Sequence, residues 1–186
     1  MASSLPLVVV DIQPCYSSVF AHGFVGDIVA EIERRIAAGL PVYLVHNDLE
    51  LSGDQLGDVH EFWLEHGLSE DVLERCQFIE KQYAELRGWM DCGVSDDDIV
   101  KTLQALRQAK LWDSRLLPAE ALESLSPDGS ELCNPLFLSW HLESSPLTSL
   151  VDMDICGGGR EECLREVELW LESRKLPYNR IESLVY

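Results

Sequence analysis

The alternation of uninterrupted apolar runs with segments of helical period leaves few folds open to this chain. Leu7-Val8-Val9-Val10 and Val42-Tyr43-Leu44-Val45 carry no polar interruption. A strand that is apolar on both faces must be covered on both, and parallel sheets achieve this by laying helices over each side. Between the two runs, Val25, Ile28, Val29, Ile32 and Ile36 recur at helical spacing and Gly39 supplies the stop. Pro41 then opens the second run. Strand, helix, strand in this order predicts parallel β-α-β units with right-handed crossovers. The expected architecture is a three-layer α/β/α sandwich around a mainly parallel, Rossmann-like sheet.

The rest of the chain continues the pattern. Residues 47–58 are polar and contain glycine, so they read as a loop, and 61–66 and 70–75 as short helical pieces. Residues 76–80 form a third strand, followed by an irregular stretch holding Tyr83, Leu86, Trp89 and Met90. Ser95 before three aspartates is a strong helix start, because serine caps free amides and acids favour the positive helix end. Ile99, Leu103 and Leu106 mark the buried stripe of that helix, which should end near Lys110. Over 117–147 the pattern weakens to a short helix near 118–124, a turn at Pro127-Asp128-Gly129 and an edge strand near 131–138. A fourth strand at 150–156, a helix at 160–174 and a last strand at 179–186 complete the reading. At 186 residues the chain is expected to form a single domain, 1–186, with a substantial core.

Charge narrows the partners. The chain carries 33 acidic residues against 14 basic ones, a formal net charge of −19. That field repels phosphate backbones and anionic lipid, and no basic stripe offsets it, so no nucleic-acid or membrane partner is expected. No apolar stretch approaches the roughly 20 residues a membrane span needs, and Met1-Ala2-Ser3-Ser4 lacks a basic leader. A cytoplasmic protein is expected, with its six cysteines reduced and none in a Cys-x-x-Cys pair. Gly157-Gly158-Gly159 lacks both the dinucleotide and the phosphate-loop pattern, so no cofactor is expected.

Three polar residues stand at or beyond strand ends: Asp11, Lys81 and Cys163. In an open α/β sheet such positions converge on one crevice. Cys163 falls near the start of a helix, where partial positive charge lowers a thiol pKa and unpaired amides stabilise an oxyanion. Gly158, Gly159 and Glu162 are the candidate backbone donors. Cys163 also fits a buried helix face with Val167, Trp170 and Leu171, so nucleophile and core residue both stay open. Lys81 reads as a thiolate partner or a solvated strand-end lysine, and Asp11 as a proton acceptor or a carboxylate capping nearby amides. Gln13, Tyr83, Trp89 and Trp140, with His141, are candidates for the pocket wall, although the tryptophans equally suit a core or a subunit interface.

In this order the residues resemble the isochorismatase-like cysteine hydrolases, the family of nicotinamidases and related amidohydrolases. Val8-Val9-Val10-Asp11-Ile12-Gln13 is similar to that family's opening strand with its Asp-x-Gln signature. Glu80-Lys81-Gln82-Tyr83 resembles its lysine after the third strand, and Gly157 to Leu164 its glycine turn and nucleophile helix. The resemblance implies Asp11 as general base, Cys163 as nucleophile and Lys81 holding charge between them. The expected function is metal-independent hydrolysis of a C–N bond in a small amide, carbamoyl or ureido-type substrate through a thioester-like intermediate. It also implies a non-proline cis peptide within Gly157 to Arg160. Two departures stand out. His46-Asn47-Asp48 replaces the family's Asp-x-His metal motif, so no metal is expected, with His46, Asp48 and His60 the only conceivable ligands. Glu161 and Glu162 flank the presumed nucleophile, which favours the alternative of an inactive member acting as a small-molecule binder or interaction scaffold. Aromatic residues near the C-terminus point to a homo-oligomer.

Overall fold

The computed structural model describes residues 3–47, 53–81, 86–91, 93–108 and 142–186. Its strands are β1 (Leu7–Val10), β2 (Val42–Asn47), β3 (Gln77–Lys81), β4 (Met153–Gly157) and β5 (Tyr178–Val185). They form one sheet in the order β3-β2-β1-β4-β5, with every neighbouring pair parallel. The described helices are α1 (Phe24–Ala37), α2 (Leu56–Glu65), α3 (Glu70–Leu73), α4 (Arg87–Asp91), α5 (Asp96–Gln108) and α6 (Cys163–Arg174).

Successive strand side chains point to opposite faces, and both faces of this sheet are buried. Leu7, Val9 and Leu44 pack against Ile28 and Ile32 of α1 and Phe62 and Trp63 of α2. Val8, Val10 and Val45 pack against Trp89 of α4, Ile99 and Leu103 of α5, and Val167 and Trp170 of α6. The uninterrupted apolar runs are the consequence of this two-sided burial. The three-layer α/β/α sandwich read from the sequence is the fold.

Boundaries differ where polar residues do structural work. Helix α2 starts inside the stretch read as a loop, because Gln55 and Asp58 cap its first turn reciprocally, with Asp58 accepting the Gln55 amide at 2.7 Å. A single turn, α4, occupies the stretch read as irregular. Strand β4 begins at Met153 because a 3₁₀ turn at Pro146–Ser149 precedes it. The expected helix near 118–124 and edge strand near 131–138 lie outside the described residues.

The chain lays β2 and β3 on one side of β1, then crosses to the other side for β4 and β5. The winding therefore reverses between β1 and β4. In such sheets the crevice outside the carboxyl ends of the strands at this switch is where ligands bind.

Candidate active site

At the switch point the backbones of β1 and β4 nearly touch. A Cβ on Gly157 would lie 2.4 Å from the Val10 carbonyl oxygen, and Gly157 holds φ at +93°. Only glycine serves there. The next amide, Gly158, donates to the same carbonyl at 2.6 Å. Opposite it, Asp11 donates its amide to Val45 at 2.8 Å and turns out of β1 in the left-handed region, at φ +49°. That conformation is uncommon for a side-chain-bearing residue, though aspartate tolerates it better than most. The peptide bonds from Gly157 to Arg160 are trans, which corrects the cis bond implied by the family resemblance. Positive φ at Gly157 and Gly158 makes the turn without it.

Lys81 ends β3, opposite Asn47 of β2. It shares a strand face with buried Ile79, which directs its side chain under the helical layer rather than into solvent. It is fully buried. Its Nζ lies 2.9 Å from Asp11 Oδ2 and 3.7 Å from Glu166 Oε2, and donates to Asn47 Oδ1 at 2.6 Å. Neither Asp11 oxygen receives a well-directed hydrogen bond from a nitrogen donor, so the Asp11–Lys81 contact is chiefly Coulombic. Burial disfavours the ammonium, but Asp11 and Glu166 outweigh it and push Lys81 above the usual lysine range.

Cys163 is the first residue of α6 and is partly exposed. Its thiol lies within electrostatic reach of Asp11, Lys81 and Glu166. The helix start was expected to lower the thiol pKa. Instead burial first, and then the Asp11 carboxylate, push it well above the usual range, against the pull of Lys81. The sulfur rests as a neutral thiol beside a carboxylate able to take its proton. Tyr186, just beyond β5, reaches the same neighbourhood: burial first, and then Cys163 and Asp11, push its phenol above its ordinary range. Its ring meets Phe24 edge-on at 5.8 Å and Phe20 at 5.4 Å, an intramolecular packing for the C-terminal aromatic.

Asp11, Lys81 and Cys163 are thus brought together, and other expectations are redirected. The Gly158 amide is spent on Val10, and the Glu162 amide donates to Gly159 at 3.0 Å, which removes both from the oxyanion role. A Cβ on Gly159 would meet the Glu162 carboxylate at 3.0 Å, so that side chain folds back over the turn. Gln13 is a tether rather than a pocket wall. It accepts the Asn47 amide at 2.8 Å and donates to Asp54 at 2.9 Å. Trp89 is completely buried in the core among the α5 and α6 side chains, not in a pocket wall. Tyr83, Trp140 and His141 lie outside the described residues.

Two members went unnoticed in the sequence. Asn47 joins Lys81 to Tyr16, whose hydroxyl accepts from Asn47 Nδ2. Glu166 is buried and accepts the Leu86 amide at 2.9 Å. Its signal was its spacing: three residues after Cys163 on a helix, it shares the cysteine's face. As for metal ligands, the His46 ring nitrogen bonds the Asn47 carbonyl at 3.0 Å and His60 lies against Phe78 at 4.4 Å. Asp48 is outside the described residues, and among the described residues no group of three or more His, Cys, Asp or Glu could hold a metal ion. No helix among them is long and apolar enough to cross a membrane.

No family model matches the chain, and no curated protein does. Among solved structures, the chain is similar to the N-carbamoylsarcosine amidase of Thermoplasma acidophilum. That match has 15% sequence identity and a TM-score of 0.49, and it covers 97% of this chain and 82% of that one.

Proposed function

We propose that the protein is a cysteine hydrolase that cleaves the C–N bond of a small amide, carbamoyl or ureido-type substrate. The observation that carries this reading is the convergence of Asp11, Lys81 and Cys163 at the sheet's switch point, with Lys81 2.9 Å from Asp11 and the Cys163 thiol within electrostatic reach of both. A nucleophile, a proton acceptor and a fixed cation in mutual reach are what acyl transfer requires.

The thiol proton passes to Asp11 as sulfur attacks the carbonyl carbon. The C–N bond then breaks, the leaving nitrogen takes the proton back from Asp11, and an acyl thioester remains on Cys163. Water, giving a proton to Asp11, attacks the thioester, and that proton returns to sulfur as the acid departs. Lys81 holds its charge beside Asp11 throughout and keeps that carboxylate in place for each transfer.

The test measures ammonia release from a panel of small primary amides and carbamoyl compounds, with intact-mass analysis of quenched reactions. The wild type should release ammonia and carry an acyl adduct on Cys163. Cys163→Ala should lose turnover by about a thousandfold or more while keeping its fold. Turnover surviving in that variant, or an adduct on another residue, would sink the reading. A folded wild type that binds such compounds without cleaving them would favour a binding protein, the reading that the occupied Gly158 and Glu162 amides support.

A further inference from the structure

The site holds one more carboxylate than the proposed chemistry uses. Glu166 lies one helical turn beyond Cys163, almost fully buried. Its Oε1 is fixed by the Leu86 amide at 2.9 Å, which leaves Oε2 facing Lys81 at 3.7 Å. The ammonium therefore stands between two carboxylates from different elements, Asp11 at the end of β1 and Glu166 on α6. The thiol is faced by Asp11 from β1, Lys81 from β3, Glu166 from its own helix and the Tyr186 phenol from beyond β5.

We propose that Glu166 is a positioning residue for the Cys163 thiol: by sharing the Lys81 ammonium with Asp11, it keeps the sulfur protonated at rest and leaves Asp11 free to accept the proton. The turnover half of this inference rests on the hydrolase reading, whereas the thiol half does not. Without the second carboxylate, the thiolate faces one negative charge fewer and an undiminished cation, so the sulfur ionises more readily. At the same time the ammonium binds Asp11 alone and competes with the proton Asp11 must take.

Glu166→Gln tests this because it keeps the shape and the acceptor for Leu86 while removing the charge. Cys163 is alkylated with iodoacetamide across pH 7–10 and read by peptide mass spectrometry, which separates it from the exposed Cys15. At pH 8 the variant should be alkylated about tenfold faster, the equivalent of roughly one pKa unit. Its turnover should fall by a similar factor. Opposite movements are the signature, because a merely structural role would shift both the same way. Glu166→Asp, which keeps the charge, should alkylate at close to the wild-type rate.

Alkylation of folded Glu166→Gln no faster than wild type overturns the proposal. If that variant does not fold, the wild-type profile decides. A half-point above the ordinary thiol value of about 8.5 is expected, and one at or below it overturns the proposal. Faster alkylation without turnover on any amide refutes the hydrolase reading and leaves the thiol role of Glu166 standing.

Discussion

Two buried clusters of like composition sit at opposite ends of the sheet. At the carboxyl end, Lys81 lies between Asp11 and Glu166, with Cys163 beside them. At the amino end, Arg35 of α1 lies between Glu31 and Asp154, with the Cys156 thiol beside them. Each sets two carboxylates and one thiol around a buried cation, and at the amino end Arg34 adds a second cation on Glu31. They differ in saturation and access. The Arg35 guanidinium spends its donors on Glu31 at 2.8 Å, Asp154 at 2.5 Å and the Leu5 carbonyl, and Asn179 completes Asp154 at 3.3 Å. Cys156 is sealed within β4. Around Lys81 the Asp11 oxygens lack well-directed nitrogen donors, and Cys163 is partly open. Fork geometry at one end closes a set of bonds, whereas a point charge at the other leaves acceptors available for chemistry.

The largest effects should come from removing the two cations. Arg35→Met strips the buried Asp154 of its ion-pair partner, while Arg34 still holds Glu31, and Lys81→Met strips the buried Asp11, at a cost of about 3–5 kcal/mol each. Urea unfolding of Arg35→Met and Lys81→Met measures this. Once conditions restore folding, the two should part company. Arg35→Met should keep turnover within a few-fold of wild type, whereas Lys81→Met should lose about a hundredfold or more. Equal turnover losses in the two folded variants would dissolve the contrast.

A smaller difference should appear at alkaline pH. Burial first, and then the Asp11 carboxylate, raise the Cys163 thiol, while burial and then Glu31 raise Cys156. A group whose folded pKa is raised keeps its full stabilising contribution below its unfolded pKa and loses it as pH rises through the folded value. Wild-type stability should therefore decline above about pH 8.5, where unfolded thiols begin to ionise. Chemical denaturation from pH 8 to 10.5 should show a shallower decline in both Cys163→Ala and Cys156→Ala. Native-state alkylation should then separate the two thiols, with Cys163 labelled and Cys156 protected until unfolding. An unchanged alkaline slope in both variants would show that neither thiol is held as described.

This contrast also marks what the sequence made legible. Asp11 and Lys81 were readable because each stands at the carboxyl end of a strand, and parallel topology fixes where strand ends meet. Local periodicity likewise gave α1, α5 and the two-sided burial of β1 and β2. The state of the Cys163 thiol was not readable. The helix start argues for a lowered pKa, and only tertiary packing reveals the burial and carboxylates that reverse it. Asn47 and Glu166 were hidden for a related reason. A polar residue in a strand end or a helix reads as solvated until its partner across the fold is known. Trp89 erred the other way, because a tryptophan after a strand end fits a pocket wall and a core equally until packing decides.

The smallest effect tests whether the amino-end cluster is as closed as its hydrogen bonds suggest. Asn179 on β5 donates to Asp154 Oδ1 at 3.3 Å, the longest of the bonds around that carboxylate. Its side chain leaves Asp154 paired with Arg35 whether it is present or not, so Asn179→Ala removes one hydrogen bond and no charge partner. The cost should be about 1 kcal/mol, the net worth of an ordinary intramolecular hydrogen bond. Thermal unfolding should detect that loss, and turnover per folded molecule should stay at the wild-type level, since the change lies at the far end of the sheet from Cys163. A turnover loss larger than the stability loss would mean that the two ends are coupled through β4, along which Asp154 and Gly157 are three residues apart. The sheet would then transmit strain from a structural ion pair to the crevice instead of insulating one from the other.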